Sequence, residues 1–117
     1  MNTLNDFLKL SGNEDRFRMI VLLYQEKLCV CHLSGILELS QPTVSKNLAK
    51  FRDTKFVETH QDGKYIFYQF KADDKNINTF LESVVNDIDV YPQLNEDSLK
   101  LAVKDQYMNS CSCSYNL

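Results

Sequence analysis

A single two-residue turn signal, Asp62-Gly63, constrains the fold of this chain more than any other feature. It lies between two arms rich in aromatic and β-branched residues, 56–61 and 64–70. Such a dipeptide favours a tight β-hairpin, because both of its positions tolerate positive φ, and it would place Gln61 opposite Lys64. The other periodic stretches have helical spacing. We therefore predict a fold that is mainly α with a small β-hairpin.

Before the hairpin, the sequence predicts a short helix over 29–38, a turn at Leu39-Ser40 and a second helix. Ser40 is a favourable N-cap for that helix, and Pro42 suits its first turn, where the missing N–H is not needed. Apolar residues at helical spacing form the inner face, namely Val44, Leu48 and Phe51. The opposite face is polar and carries Gln41, Thr43, Ser45, Lys46, Asn47 and Lys50.

After the hairpin, Asp73 or Asp74 is predicted to cap a helix with a wide apolar stripe. Its members are Ile77, Phe80, Leu81, Val84, Val85 and Ile88. One small core cannot cover such a stripe, so we expect a second subunit to bury part of it. Two more helices are predicted at the start of the chain, over 3–10 and from Glu14. The order helix, helix, helix, turn, helix, hairpin, helix is that of a winged helix-turn-helix, here expected to be dimeric.

This order divides the chain in two. Residues 1–90 are predicted to form the winged helix-turn-helix DNA-binding domain with its dimerisation helices, and residues 91–117 a C-terminal helix (96–108) with a cysteine-containing tail. The net charge is −3, yet residues 41–71 hold six Lys or Arg and three acids. Local charge decides the attraction to phosphate, so this basic third is compatible with double-stranded DNA as the partner.

The chain has neither an apolar run approaching the ~20 residues that span a membrane nor the features of a signal peptide. We therefore expect a cytoplasmic protein with no membrane partner. Its four cysteines form two Cys-x-Cys pairs, Cys29 with Cys31 and Cys111 with Cys113. A reducing cytosol keeps thiols free, which favours metal binding or redox sensing over structural disulfides. Residues i and i+2 of a helix point about 200° apart, so Cys29 and Cys31 can share an ion only if Cys29 precedes the helix or the first turn is distorted.

Two segments, 28–33 (LCVCHL) and 40–48 (SQPTVSKNL), resemble the ArsR/SmtB family of metal-responsive repressors, and its arsenic-sensing branch in particular. The resemblance implies an apo homodimer that binds operator DNA, represses resistance genes and dissociates when arsenite or antimonite binds cysteine thiolates. Two residues depart from the family: His32 stands where many members have Asp, and Ser34 where the arsenic branch often has a third cysteine. A third sulfur must then come from Cys111 or Cys113.

The predicted DNA contacts comprise the start of the polar-faced helix and the hairpin tip, namely Ser40, Gln41, Thr43, Ser45, Lys46, Asn47, Lys50 and Lys64. The predicted ligands for As(III), Sb(III) or another soft ion are Cys29, Cys31, Cys111 and Cys113. One alternative keeps the DNA-binding fold but senses zinc or cadmium, with His32 as a nitrogen ligand. Another makes the cysteines a redox or persulfide switch. A thiol reductase is disfavoured, because the chain has no Cys-x-x-Cys motif. A winged helix used only for protein contacts would leave the polar face without a purpose.

Overall fold

The computed structural model describes residues 3–110, which form helices around one two-stranded sheet. The helices are α1 (Thr3–Ser11), α2 (Glu14–Gln25), α3 (Val30–Leu37), α4 (Gln41–Asp53), α5 (Lys75–Asn86) and α6 (Pro92–Leu99). The antiparallel strands β1 (Val57–Asp62) and β2 (Tyr65–Phe70) lie between α4 and α5. A 3₁₀ turn, Ile88–Val90, precedes α6, and a 3₁₀ segment, Lys100–Ser110, follows it. The predicted winged helix-turn-helix class is confirmed.

Side-chain caps fix where the central helices begin. The hydroxyl of Ser40 accepts the backbone N–H of Thr43 at 3.2 Å, as predicted for the start of α4. Asp74, one of the two predicted caps of α5, accepts the N–H of Asn76 at 2.8 Å. Each such cap satisfies a backbone donor that the helix leaves unpaired and contributes about 1 kcal/mol.

The predicted hairpin is present, but its predicted register is wrong. Asp62 pairs with Tyr65 and Gln61 with Ile66, so the two-residue loop is Gly63-Lys64 rather than Asp62-Gly63. The backbone φ is +61° at Gly63, the first residue of the loop, and it is not positive at Lys64, the second. A turn with Gly at its first central position and positive φ only there is the type II′ hairpin turn, which this sequence accommodates without strain.

The core lies between the helices and the inner face of the hairpin. The rings of Phe56 and Phe70 stack with centroids 6.1 Å apart, and the edge of Phe7 packs against both. The predicted inner face of α4 (Val44, Leu48 and Phe51) is fully buried in this core. The hairpin is thereby held against α1, α2 and α4.

The C-terminal part of the described chain differs from the helix predicted over 96–108. Pro92 opens a shorter helix, α6, and the chain continues as the 3₁₀ segment, with non-helical backbone at Val103 (φ −119°). Arg18 of α2 anchors α6, because its guanidinium donates two hydrogen bonds to the buried carboxylate of Asp97, at 2.8 and 2.9 Å. This partnership raises the pKa of Arg18. The predicted division at residue 90 stays a prediction.

Across residues 3–110, every helix is too short or too polar to cross a bilayer.

Candidate nucleic-acid interface and thiol site

Most of the predicted DNA contacts on α4 face outward. Thr43, Ser45, Lys46 and Lys50 are exposed, while Gln41 is half-buried at the first position of the helix. Ser40 is exposed as well, but its hydroxyl is already used, because it caps α4 and donates to Oγ1 of Thr43 at 2.8 Å. The predicted roles of these residues toward DNA stay predictions.

Asn47 corrects the predicted polar face. Its side chain is only 7% exposed and its amide Nδ2 lies 3.7 Å from Sδ of Met19, inside the domain. Asn47 therefore does not belong to the exposed polar face of α4, and its predicted contact with DNA stays a prediction. The spacing carried the signal, since Asn47 follows the buried Val44 by three residues and precedes the buried Phe51 by four, which is the periodicity of one helical face.

The β1–β2 hairpin is the wing of the fold, and its tip carries Lys64, the predicted DNA contact outside α4. Lys64 is exposed in the two-residue loop, with its ammonium nitrogen 5.5 Å from the centre of the Tyr65 ring. The other end of β2 is tied to the segment before α3. Leu28 and Tyr68 exchange both backbone hydrogen bonds, at 2.9 and 2.8 Å. The wing and the start of α3 are therefore joined by one bridge.

The Leu28–Tyr68 bridge holds the backbone directly before Cys29. Held next to Leu28, Cys29 has extended backbone (φ −98°, ψ 175°) and is the N-cap of α3, whereas Cys31 lies in the first turn of the helix. Placing Cys29 before the helix is one of the two conditions under which a Cys-x-Cys pair can share an ion. On the other side, Nε2 of Gln41 lies 4.0 Å from Sγ of Cys31, so the first residue of α4 contacts the same site.

Both cysteines are buried, at 3% exposure each. Burial raises the pKa of the Cys29 thiol, and nearby backbone hydrogen bonds oppose this shift. Cys29 is a free thiol, whereas Cys31 is disulfide-bonded. Cys111 and Cys113 lie outside the described residues, so their part in the site stays a prediction. Over the described range, no three His, Cys, Asp or Glu side chains converge on a position for a metal ion.

The sulfurs of Cys29 and Cys31 are soft donors at the start of α3, and their predicted role as ligands of a soft ion stays a prediction. His32 lies next to these sulfurs, in the first turn of α3. Its Nδ1 accepts the backbone N–H of Cys29 at 3.2 Å, and burial lowers its pKa, with Lys104 adding to the shift. The ring is therefore neutral near pH 7 with its proton on Nε2, which lies 3.5 Å from Oδ1 of Asp105. Nδ1 of His32 is thus engaged at the start of α3, and the use of His32 as a nitrogen ligand stays a prediction.

The C-terminal segment covers this site, a feature that sequence reasoning missed. Sγ of Cys29 lies 3.4 Å from Sδ of Met108. The ring of Tyr107 packs so closely on Gly35 of α3 that a Cβ there would overlap it. The weak helical pattern over 96–108 does not indicate this packing. The one signal in the sequence is Gly35, because a residue without a side chain lets another element approach the helix closely.

A second surface is apolar and exposed. Leu8 of α1 is 58% exposed and Phe80 of α5 is 48% exposed, although the ring of Phe80 also contacts Phe7 and Phe17. Leu4 of α1 adds to this surface. We refer to Leu4, Leu8 and Phe80 as the α1–α5 face.

Comparison with known proteins gives consistent results. The family model of the bacterial regulatory proteins of the arsR family matches residues 13–59, from the cap of α2 into β1. The arsenic resistance transcriptional regulator ArsR1 of Pseudomonas putida is 32% identical over 96 residues, covering 80% of this chain and 73% of that protein.

Two further relatives bear on the fold and on the signal. The cadmium resistance regulatory protein CadC of Listeria innocua is 30% identical over 70 residues. The match covers 59% of this chain and 59% of the length of CadC. Among solved structures, reduced HlyU from Vibrio cholerae superposes with a TM-score of 0.63 at 29% identity, covering 70% of this chain and 84% of that one.

Proposed function

The chain belongs to the ArsR family of bacterial regulatory proteins, and from that membership we propose that it is a metalloid-responsive transcriptional repressor. The family is one of DNA-binding regulators rather than enzymes, which sets aside the thiol reductase. In this proposal an apo homodimer binds operator DNA. It dissociates when arsenite or antimonite binds the cysteine thiolates.

The observation that carries the proposal is the position of Cys29 and Cys31 between the two DNA-binding elements. Cys29 follows Leu28, which is bridged to the wing strand, and Cys31 contacts Gln41 at the start of α4. A change of geometry at the two sulfurs therefore acts on both elements. A coupling free energy of about 1–3 kcal/mol, typical of allosteric linkage, would lower operator affinity about 5- to 150-fold.

The DNA side of the proposal assigns different tasks to different side chains. Gln41, Thr43 and Ser45 lie near the N-terminus of α4, the end that a recognition helix presents to base edges in the major groove. Lys46, Lys50 and the hairpin-tip Lys64 are proposed to bind phosphates. Phosphate contacts set position and salt dependence, and base contacts set sequence preference.

The metalloid chemistry needs only thiols. Each cysteine replaces one hydroxyl of arsenite: an As–S bond forms, the As–O and S–H bonds break, and one water leaves. Cys29 and the reduced Cys31 supply two sulfurs, and we propose that Cys111 or Cys113 supplies the third. Three thiolates on a trivalent ion leave no net charge, which suits a buried site.

Fluorescence anisotropy of the reduced protein on its promoter DNA, titrated with arsenite, tests this function. We expect release at near-stoichiometric arsenite for the native chain and no release for Cys29→Ser or Cys31→Ser. Replacing Cys111 and Cys113 together tests the tail separately. Release that persists in both single variants would refute the assignment of these cysteines, and failure of the native chain to bind the DNA would refute the function.

A second candidate signal is thiol oxidation, which the disulfide of Cys31 beside the free thiol of Cys29 favours. The same DNA assay separates the two signals. If oxidation is the signal, oxidised and fully reduced protein differ in operator affinity without any metal. If the metalloid is the signal, their operator affinities are equal until arsenite is added. Cadmium, suggested by the similarity to CadC, is a third ligand for the same titration.

A further inference from the structure

The contact between Cys29 and Met108 brings together two soft donors from distant parts of the chain. Their sulfurs lie 3.4 Å apart, with Cys29 at the start of α3 and Met108 near the end of the C-terminal segment. Two sulfurs bound to one ion at ~2.3 Å with a tetrahedral angle lie about 3.8 Å apart. A shift of a few tenths of an ångström would therefore let both sulfurs bind the same ion.

Contacts that involve neither sulfur hold the segment in this position. Tyr107 packs on Gly35, and Lys104 pairs at 3.4 Å with Glu26, the C-cap residue of α2. Upstream, Nε2 of Gln25 donates to Oγ of Ser98 at 2.9 Å. The Met108 thioether is thus brought to Cys29 by packing and ion pairs, so the arrangement exists before any ion binds.

The chemistry of the pair defines the class of ion. A thioether is soft and neutral, and together with a thiolate it favours Cu(I). One thiolate and one thioether around a monovalent cation carry no net charge, whereas a divalent cation would leave a buried positive charge. A trivalent metalloid gains nothing from Met108, because a thioether has no proton to exchange for a hydroxyl.

We propose that Met108 is a thioether ligand beside Cys29, and that this pair binds monovalent soft cations of the Cu(I) class in addition to the metalloid. The inference rests on the proposed use of Cys29 as a ligand. Met108 then widens the range of ions that the site accepts without taking part in arsenite binding.

Methyl-labelled methionine provides a direct test, because the chain has only three methionines, Met1, Met19 and Met108. The full-length protein is reduced, freed of reductant under anaerobic conditions and titrated with Ag(I), a redox-inert counterpart of Cu(I). We expect the Met108 methyl resonance to shift with one equivalent of Ag(I). The resonance of Met19, which is buried against Asn47, should stay in place as an internal reference.

Met108→Leu assigns the resonance and tests the affinity, because Leu keeps the volume of Met without its sulfur. We expect this variant to lose at least about tenfold in Ag(I) affinity, as on removal of a metal-site partner. An unmoved Met108 resonance at saturating Ag(I), or unchanged Ag(I) affinity in the variant, would overturn the inference alone. Loss of arsenite release in the native chain would instead refute the proposed function.

Discussion

Lys46 extends from the exposed face of α4, and a DNA phosphate is the partner proposed for its ammonium group. Lys46→Ala should weaken binding to operator and to unrelated DNA by similar factors, since a phosphate contact carries no sequence information. The slope of log K against log salt should fall by about one unit. Anisotropy titrations at several salt concentrations measure both quantities.

Lys9→Ala is the matched control, because it removes the same charge from an exposed position on α1. Its salt slope should equal that of the native protein. Equal slopes for all three proteins would mean that Lys46 does not contact phosphate.

Single residues differ in how far their contacts can be predicted from the sequence. The caps Ser40 and Asp74 were predictable, because capping depends on a few adjacent residues. Met108 was not, since its contact with Cys29 joins residues 79 apart and depends on how the last segment folds back. The burial of Asn47 follows from its helical spacing to Val44 and Phe51, although its polar side chain suggests exposure.

At the scale of elements, α6 is attached to α2 by a charged pair. Asp97 is only 1% exposed and is the carboxylate partner of the Arg18 guanidinium. Asp97→Asn should therefore lower the free energy of unfolding by about 3 kcal/mol, because it leaves that guanidinium without its buried partner. Urea denaturation followed by circular dichroism measures this loss.

Arg18 provides its own control, since it also approaches the exposed carboxylate of Asp15, at 3.8 Å. Asp15→Asn should change stability by less than about 0.5 kcal/mol, as is usual for exposed pairs. Equal losses in the two variants would contradict the anchoring role of Asp97.

The elements themselves were predicted with uneven success, for physical reasons. The order of the helices and the presence of the hairpin follow from local periodicity. The hairpin register depends on which residue takes positive φ, and only Gly63 does so, which moves the loop by one residue. The segment after Leu99 lacks a clear apolar face, so its conformation is set by packing on α3 rather than by its own sequence.

At the scale of the whole molecule, the α1–α5 face matches the expectation that one core cannot cover the stripe of α5. We predict that Leu8→Glu yields a monomer, because a carboxylate would have to be buried in the subunit interface. Operator affinity should fall with the loss of the second half-site contact. Sedimentation velocity and anisotropy measure the two effects.

Leu99→Glu serves as the control, since Leu99 is an exposed apolar residue at the end of α6, outside the α1–α5 face. The Leu99→Glu variant should remain a dimer. If Leu99→Glu dissociates and Leu8→Glu does not, the subunits associate through the C-terminal side instead.

The cover over Cys29 has a consequence for timing. Met108 lies directly on a thiol that is itself only 3% exposed, so an ion reaches the sulfur only when the C-terminal segment opens. In stopped-flow mixing, the observed rate of arsenite capture should therefore reach a plateau at high arsenite concentration, where opening limits the reaction. A repressor built in this way would ignore pulses of toxicant shorter than its opening time and respond only to sustained exposure.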